Sequence, residues 1–396
     1  MLYLHGIETV EYKVGQRPVI EVKTAVVGLV GTAPDNLIPP RTLTLIAGES
    51  DAQNKLGQPQ AEYTVYKALK AIYDHENTLV LFVNAFDSSV HTSPSAVSSA
   101  DIINAMTEFD KAFTTFGFTP KILIAPGFSV DPGVAVELAS RAKKYRGIAI
   151  ADIPDAIDPF NLLSYKEVNN LSDSHLILTY PQVKLPSDGS KDWLSSRLAG
   201  LFVWNDKNKP ESYGAIPSND RIEGILGPSR QLTYYPSDPN TEVQQINAQG
   251  VYTVMSFIGR QVGFGTRTSA FPALTHPADT LINWVRVGGI IDETLEINLV
   301  QFLDKIMFYS PESALRSVIS DIEDTINDYL RTLQSRGVLI YREARIDREK
   351  TTLQELLQGR VHYQLEPIPG IPIEGIVIHR VMNSSRVAEA FQKLFR

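Results

Sequence analysis

Thr24-Ala25-Val26-Val27-Gly28-Leu29-Val30-Gly31-Thr32-Ala33 is the stretch that decides the fold class of this 396-residue chain. Its apolar residues run without the polar-apolar alternation of a strand with one wet face, so it reads as a strand buried on both faces. Pro34-Asp35-Asn36 follow and favour a turn. Further strand signals lie at 42–46, 78–83, 121–125, 147–151 and 175–179, and helical patterns at 61–73, 101–116 and 131–145 fall among them. The last of these helices carries Arg141, Lys143 and Lys144 in its final turn, where the helix dipole favours cations. Strand, helix, strand at these lengths predicts an α/β region with a largely parallel sheet.

Upstream, residues 1–22 read as an extended arm. Ile7, Val10, Val19, Ile20 and Val22 favour strands, and Gly15 and Pro18 interrupt them. Such an arm adds little to a core, and an unpaired strand is an aggregation hazard, so it is expected to pair with its own domain or with a neighbour. Downstream, 184–240 reads as irregular, 251–258 as a strand and 278–308 as apolar and mixed. A long amphipathic helix is predicted over 311–336, from Leu315, Val318, Ile319, Ile322, Ile326, Tyr329, Leu330 and Leu333 at helical spacing. Strands at 361–365 and 373–381 flank a turn at 367–372, and a last helix at 385–396 has Val387, Phe391, Leu394 and Phe395 on its apolar face.

The length suits two to three domains. Hydrophobic residues make up 43% and charged residues 21%, a globular balance, and the net charge of −8 argues against a nucleic-acid binder. The absence of cysteine removes disulfides and thiolate metal sites and suits a reducing compartment. No apolar run reaches 18 residues, and Met1-Leu2-Tyr3-Leu4-His5-Gly6 lacks a signal-peptide layout, so a chain made and folded in the cytoplasm without membrane insertion is expected.

Catalytic patterns are missing. The chain has no phosphate loop, nucleophile elbow, HExxH or Cys/His metal set, and its seven histidines have no ligand spacing, so no cofactor or metal is expected. Gly263-Phe264-Gly265 lacks the third glycine of a dinucleotide fingerprint. Asp152, Asp155 and Asp158 follow a strand end, where α/β proteins bind ligands; they read as a turn-forming loop, with an α/β enzyme as the alternative.

Several stretches, in order, resemble the contractile tail sheath proteins of phages and related injection machines. They are His5-Gly6-Ile7, the Thr24–Pro34 strand, Pro126-Gly127, and Ala151-Asp152-Ile153-Pro154. Then come the Ser195-Ser196-Arg197-Leu198-Ala199-Gly200 turn, Asp206, Gly214-Ala215-Ile216-Pro217-Ser218-Asn219 and Gly263-Phe264-Gly265-Thr266-Arg267-Thr268. The family often has Trp where this chain has Phe264, and prolines in the turn where it has Ser195-Ser196.

The resemblance implies a multidomain α/β and α+β chain. Its expected parts are an N-terminal strand arm (1–22), a core (23–85 with 186–260), an outer α/β insertion (86–185), a C-terminal inner sheath domain with a strand arm (261–382) and a terminal helix (383–396). It implies strand exchange between subunits through Ile7, Val10, Val19, Ile20, Val22, Val361, Tyr363, Ile376 and Ile378. It also implies a six-fold helical polymer around a tail tube protein, with baseplate and tail terminator proteins as further partners, in a virion tail or tail-like particle assembled in the host bacterial cytoplasm. Contraction by subunit repacking would drive the tube through a cell envelope. Arg386, Lys393 and Arg396 are candidate tube contacts, and the acidic helix at 311–336 is the rival surface. A non-contractile baseplate or adhesion protein of similar fold is a further alternative.

Overall fold

A computed structural model describes residues 19–307 and 317–384, with 386, 387, 391 and 393 beyond them. The deciding stretch becomes strand β1 (Val26–Gly31), buried at every position, in the middle of an eight-stranded sheet. In spatial order the sheet runs β11 (Arg260–Phe264), β10 (Val251–Phe257), β6 (Leu176–Thr179), β5 (Ile148–Asp152), β4 (Ile122–Ile124), β1, β3 (Leu79–Asn84) and β2 (Leu43–Ala47). The six inner strands are parallel, and β2 and β11 pair antiparallel at the two edges. Successive residues of β1 serve opposite faces. Val26 and Val30 join one apolar cluster and Val27 and Leu29 the other. A side chain at Gly28 would put its Cβ 2.8 Å from Pro120, so this strand passes where only glycine fits.

Helices Ser99–Met106 and Pro132–Lys144 cover the first face; Thr64–Tyr73 and Leu194–Asn208 cover the second. The sheet runs unbroken across residues 85 and 185, because β1 pairs with β3 on one side and β4 on the other, and β6 pairs with β10. No sheet boundary therefore marks where an outer insertion at 86–185 would begin.

Helix Leu194–Asn208 corrects the irregular region expected at 184–240 and the turn expected at Ser195–Gly200. Twelve of its fifteen residues are buried, among them Ser195, Ser196, Gly200, Asn205 and Asp206. A helix enclosed on all sides shows no amphipathic period, and its small and polar residues imitate a loop. Gly200 lets it touch helix Thr64–Tyr73, since a Cβ there would lie 2.8 Å from the Ile72 carbonyl oxygen. A small three-stranded sheet, β7 (Val183–Lys184), β8 (Lys191–Asp192) and β9 (Gly227–Pro228), lies within the same region.

The C-terminal part packs around its own apolar cluster, with helices Ile282–Leu299 and Val318–Ser335 contributing Val287, Ile290, Ile326, Leu330 and Leu333. Two antiparallel pairs complete it: β12 (Leu339–Tyr341) with β15 (Ile368–Pro369), and β13 (Ala344–Ile346) with β14 (Tyr363–Leu365). The helix expected at 311–336 starts at Val318 within the described residues; 311–316 lie outside them. The strand expected at 373–381 joins no sheet among the described residues.

Helix Ile282–Leu299 ties this part to the large sheet. Its first turns reach the sheet's second face through Ile282 and Val285. Arg286 meets Asp206 in a bidentate pair, Nη1–Oδ1 2.9 Å and Nη2–Oδ2 2.8 Å, with both side chains 1% exposed. Glu293 pairs with the buried Lys121, and Arg146 reaches Glu296 at 2.6 Å.

Removing one member of a buried pair strands a charge, whereas replacing both with apolar groups need not. Arg286→Met alone is expected to cost about 3–5 kcal/mol, and Arg286→Met with Asp206→Leu much less. Urea unfolding of the two variants and the parent measures the difference.

Candidate functional site: the arm roots and the domain junction

The aspartates after β5 are spent on holding the chain. The Asp152 carboxylate accepts hydrogen bonds from the Ser195 backbone N–H (2.9 Å), the Ser195 hydroxyl (2.5 Å), Thr179 Oγ1 (2.8 Å) and Ser129 Oγ (3.3 Å). It thus caps the first turn of helix Leu194–Asn208 from the end of a strand. Burial pushes its carboxyl up to about 6, against the opposing pull of these donors. Asp155 accepts the Gln182 N–H at 2.8 Å and pairs with Lys191 at 2.7 Å, and Asp158 accepts the Phe160 N–H at 2.9 Å. Among the described residues no group of three or more His, Asp or Glu side chains could hold a metal ion, and no helix is long and apolar enough to cross a membrane.

The sequence motifs instead converge on the junction between the two parts. Arg197 is buried and reaches Asp74 (2.5 Å), Asp192 (3.6 Å) and the Glu223 carbonyl (3.2 Å). Beside it His75 donates from Nδ1 to the Ala71 carbonyl and accepts the Glu223 N–H at Nε2, 3.1 Å away. Burial pushes this imidazole down to about 4, and the Arg197 charge acts the same way. Asn219 N–H donates to the Gly263 carbonyl (2.7 Å), and Gly265 N–H to Ser218 Oγ (3.1 Å), so the 214–219 and 263–268 stretches lie together. Asp206 faces Arg286.

The first described residues, 19–22, and the segment 371–382 both lie at this part of the molecule. At the N-terminal side Val19 and Val22 pack on the C-terminal cluster and Ile20 is 75% exposed; Ile7 and Val10 lie outside the described residues. Val361 and Tyr363 are half-buried. Tyr363 belongs to β14, paired inside the chain, and its hydroxyl donates to the Ile319 carbonyl at 2.9 Å. The C-terminal strand arm expected through Val361, Tyr363, Ile376 and Ile378 is thereby shortened, because the apolar cluster under β13 and β14 takes up its first residues. What is largely exposed is 371–382, where Ile373, Ile376, Val377, Ile378, Val381 and Met382 are all about four-fifths exposed. Beside its root runs a groove of about 1050 Å³ lined by Phe264, Arg267, Phe271 and residues 370–376.

Arg386, Val387, Phe391 and Lys393 are helical and exposed; Arg396 lies outside the described residues. On helix Val318–Ser335 the apolar stripe is buried and Asp324 and Asp328 face outward. Sequence reading assigned no role to Glu21, Asn298, Arg336 and Glu374, which fasten the arm roots. The signal was faint: Arg267 stood inside a recognised motif, but its partner Glu374 is 107 residues away.

Residues 24–82 match the family model of the tail sheath protein Gp18 domain III N-terminal region. The chain is 28% identical to the tail sheath protein of Burkholderia phage BcepMu, over 96% of this chain and 97% of that protein. It is 24% identical to the tail sheath protein of Escherichia phage P2, over 98% and 97%. Its fold is similar to the contracted-state sheath complex of an extracellular contractile injection system, PVC, with a TM-score of 0.74 and 15% identity over 98% of this chain and 99% of that one. The contracted helical sheath of the anti-feeding prophage superposes with a TM-score of 0.69 at 18% identity, over 97% and 100%.

Asp152→Ala removes the acceptor of the Ser195 N–H and of three buried hydroxyls and is expected to cost about 1–3 kcal/mol in urea unfolding. His75 gives a pH signature. Its folded value lies below the unfolded one, so its contribution is whole above about 6.5 and lost as pH falls towards about 4. Melting temperature should drop over that window, and His75→Gln should flatten the drop.

Proposed function

We propose how this chain, which belongs to the contractile tail sheath family, carries out its work as a structural subunit of a contractile sheath. The observation that carries the reading is the exposed segment 371–382, an apolar, β-branched run that joins no sheet of its own chain among the described residues. Such a run gains most by adding to a neighbour's sheet, where main-chain hydrogen bonds supply affinity and side-chain pockets supply register. Together with the N-terminal arm ahead of the root at Val19, Ile20 and Val22 it makes the strands exchanged between subunits, with Ile7, Val10, Ile376 and Ile378 among the residues at that contact.

A contact made by an arm on one face and received on another is heterologous. It does not close on itself, so it propagates a filament. The polymer is a six-fold helical tube around an inner tail tube, joined to baseplate and terminator proteins in a virion tail or tail-like particle assembled in the bacterial cytoplasm. A trigger at the baseplate lets one ring repack, the change passes along the lattice, and the tube is driven through an envelope. Energy comes from the difference between two packings of the same subunits, without a nucleotide. Residues 86–185 lie on the outside of the tube. Arg386, Lys393 and Arg396 meet the inner tube through screened contacts weak enough to release it; the outward acidic residues of helix Val318–Ser335 are the other surface that suits this role.

Negative-stain electron microscopy of the purified chain, alone and with its tube protein, tests the reading. Long striated hollow tubes are expected, and deletion of residues 1–18 or 371–396 should leave soluble monomers. A parent chain that stays monomeric with the tube protein present would overturn it.

A further inference from the structure

Both arm roots are fastened to opposite ends of one helix. At the N-terminal root the Asn298 side chain makes a two-point pairing with the backbone of Ile20: Ile20 N–H donates to Asn298 Oδ1 at 2.9 Å, and Asn298 Nδ2 donates to the Ile20 carbonyl at 2.9 Å. This is the bond pattern of a sheet ladder, supplied by a side chain. One residue on, Arg336 Nη1 donates to Glu21 Oε2 at 2.6 Å, and Val22 N–H reaches Thr294 Oγ1 at 3.4 Å.

At the C-terminal root the Gly370 carbonyl accepts from Asn283 Nδ2 at 2.8 Å and from Trp284 Nε1 at 3.3 Å. Glu374 takes a bidentate grip from Arg267, Nε–Oε1 2.8 Å and Nη2–Oε2 2.5 Å, with Thr266 donating as well. Thr266 is itself bound to the start of the helix, its carbonyl accepting the Ile282 N–H at 3.1 Å. Asn283 and Asn298 stand fifteen residues apart on helix Ile282–Leu299. That separation is about 22 Å, a little over four turns. The helix cannot tilt freely, because Arg286–Asp206, Lys121–Glu293 and Arg146–Glu296 lock it to the sheet. Gly289 seats it so closely that a Cβ would lie 2.6 Å from the Arg146 carbonyl oxygen.

We infer that helix Ile282–Leu299 is a rigid spreader that fixes the spacing and exit direction of the two exchanged arms, with Asn298, the Glu21–Arg336 pair, Asn283 and the Arg267–Glu374 pair as its positioning residues. The inference rests on the strand-exchange reading above and adds where the lattice is stiff and where it bends. Repacking leaves the two roots fixed in each subunit, and the exposed chain beyond Glu374 takes up the change. A rigid node keeps neighbours connected through the change, because each subunit presents its two links at one unvarying separation.

The chain has no cysteine, so cysteines placed at the exposed Ile20 and Ile373 take spin labels at those sites alone. Dipolar spectroscopy then reads the distance between the roots in the free chain and, with labelled chains diluted among unlabelled ones, in tubes. A narrow distribution with the same mean in both is expected. Asn298→Ala and Arg267→Ala should broaden it, leave the melting temperature of the full chain nearly unchanged, and abolish ordered tubes. A mean that moves on assembly, or variants that keep both the narrow distribution and parent-like tubes, would overturn the inference. If the parent forms no tubes, the sheath reading fails separately, and the label spread in free parent and variants still decides whether the clamps hold the roots.

Discussion

The structure depends on one buried charge pair. Arg286 and Asp206 are both removed from water, and each is tolerable there only because the other is present at bidentate geometry. A hydrophobic junction of the same volume would have held the two helices at least as firmly, but with less definition. A guanidinium fork facing a carboxylate admits one rotation and one register. In a subunit whose purpose is to present contacts at fixed places, orientation between the sheet and the C-terminal part matters more than the last increment of stability.

From that junction the rest follows in two directions. Towards the sheet, helix Leu194–Asn208 carries Asp206 and is capped from below by Asp152, so the carboxylates at the ends of one helix anchor both a strand and a second helix. Towards the chain ends, helix Ile282–Leu299 carries Arg286 near its start and the arm-root contacts at both extremities. The body is a chain of short, specific polar ties laid over large apolar clusters. The clusters supply stability, and the ties supply geometry.

Much of the sheet was legible because buried parallel strands announce themselves. Val26–Gly31, Leu79–Asn84 and Ile148–Asp152 are nearly pure apolar runs between helical patterns. Helix Leu194–Asn208 was not, because burial on all sides erases the periodicity that reading relies on. The segment 373–381 has the composition of a strand and no ladder among the described residues; sequence reports a preference for extended backbone and does not name a partner. The arm-root residues were hidden for another reason. Glu21 with Arg336 and Arg267 with Glu374 are separated by hundreds of positions or close to it, and each is an ordinary polar residue in its local context. Asp152 shows in the sequence as a carboxylate at a strand end, and the structure gives it a cap to make.

The exposed run from Ile373 to Met382 also sets a clock. A bare, β-branched segment is a sticky template for any sheet edge it meets, so a newly made chain is exposed to mispairing for as long as this run stays uncovered. Pro372 ahead of the run and His379-Arg380 within it act as interruptions that slow such encounters. Synthesis therefore has to be matched to covering: chains released faster than this run is covered accumulate as precipitate.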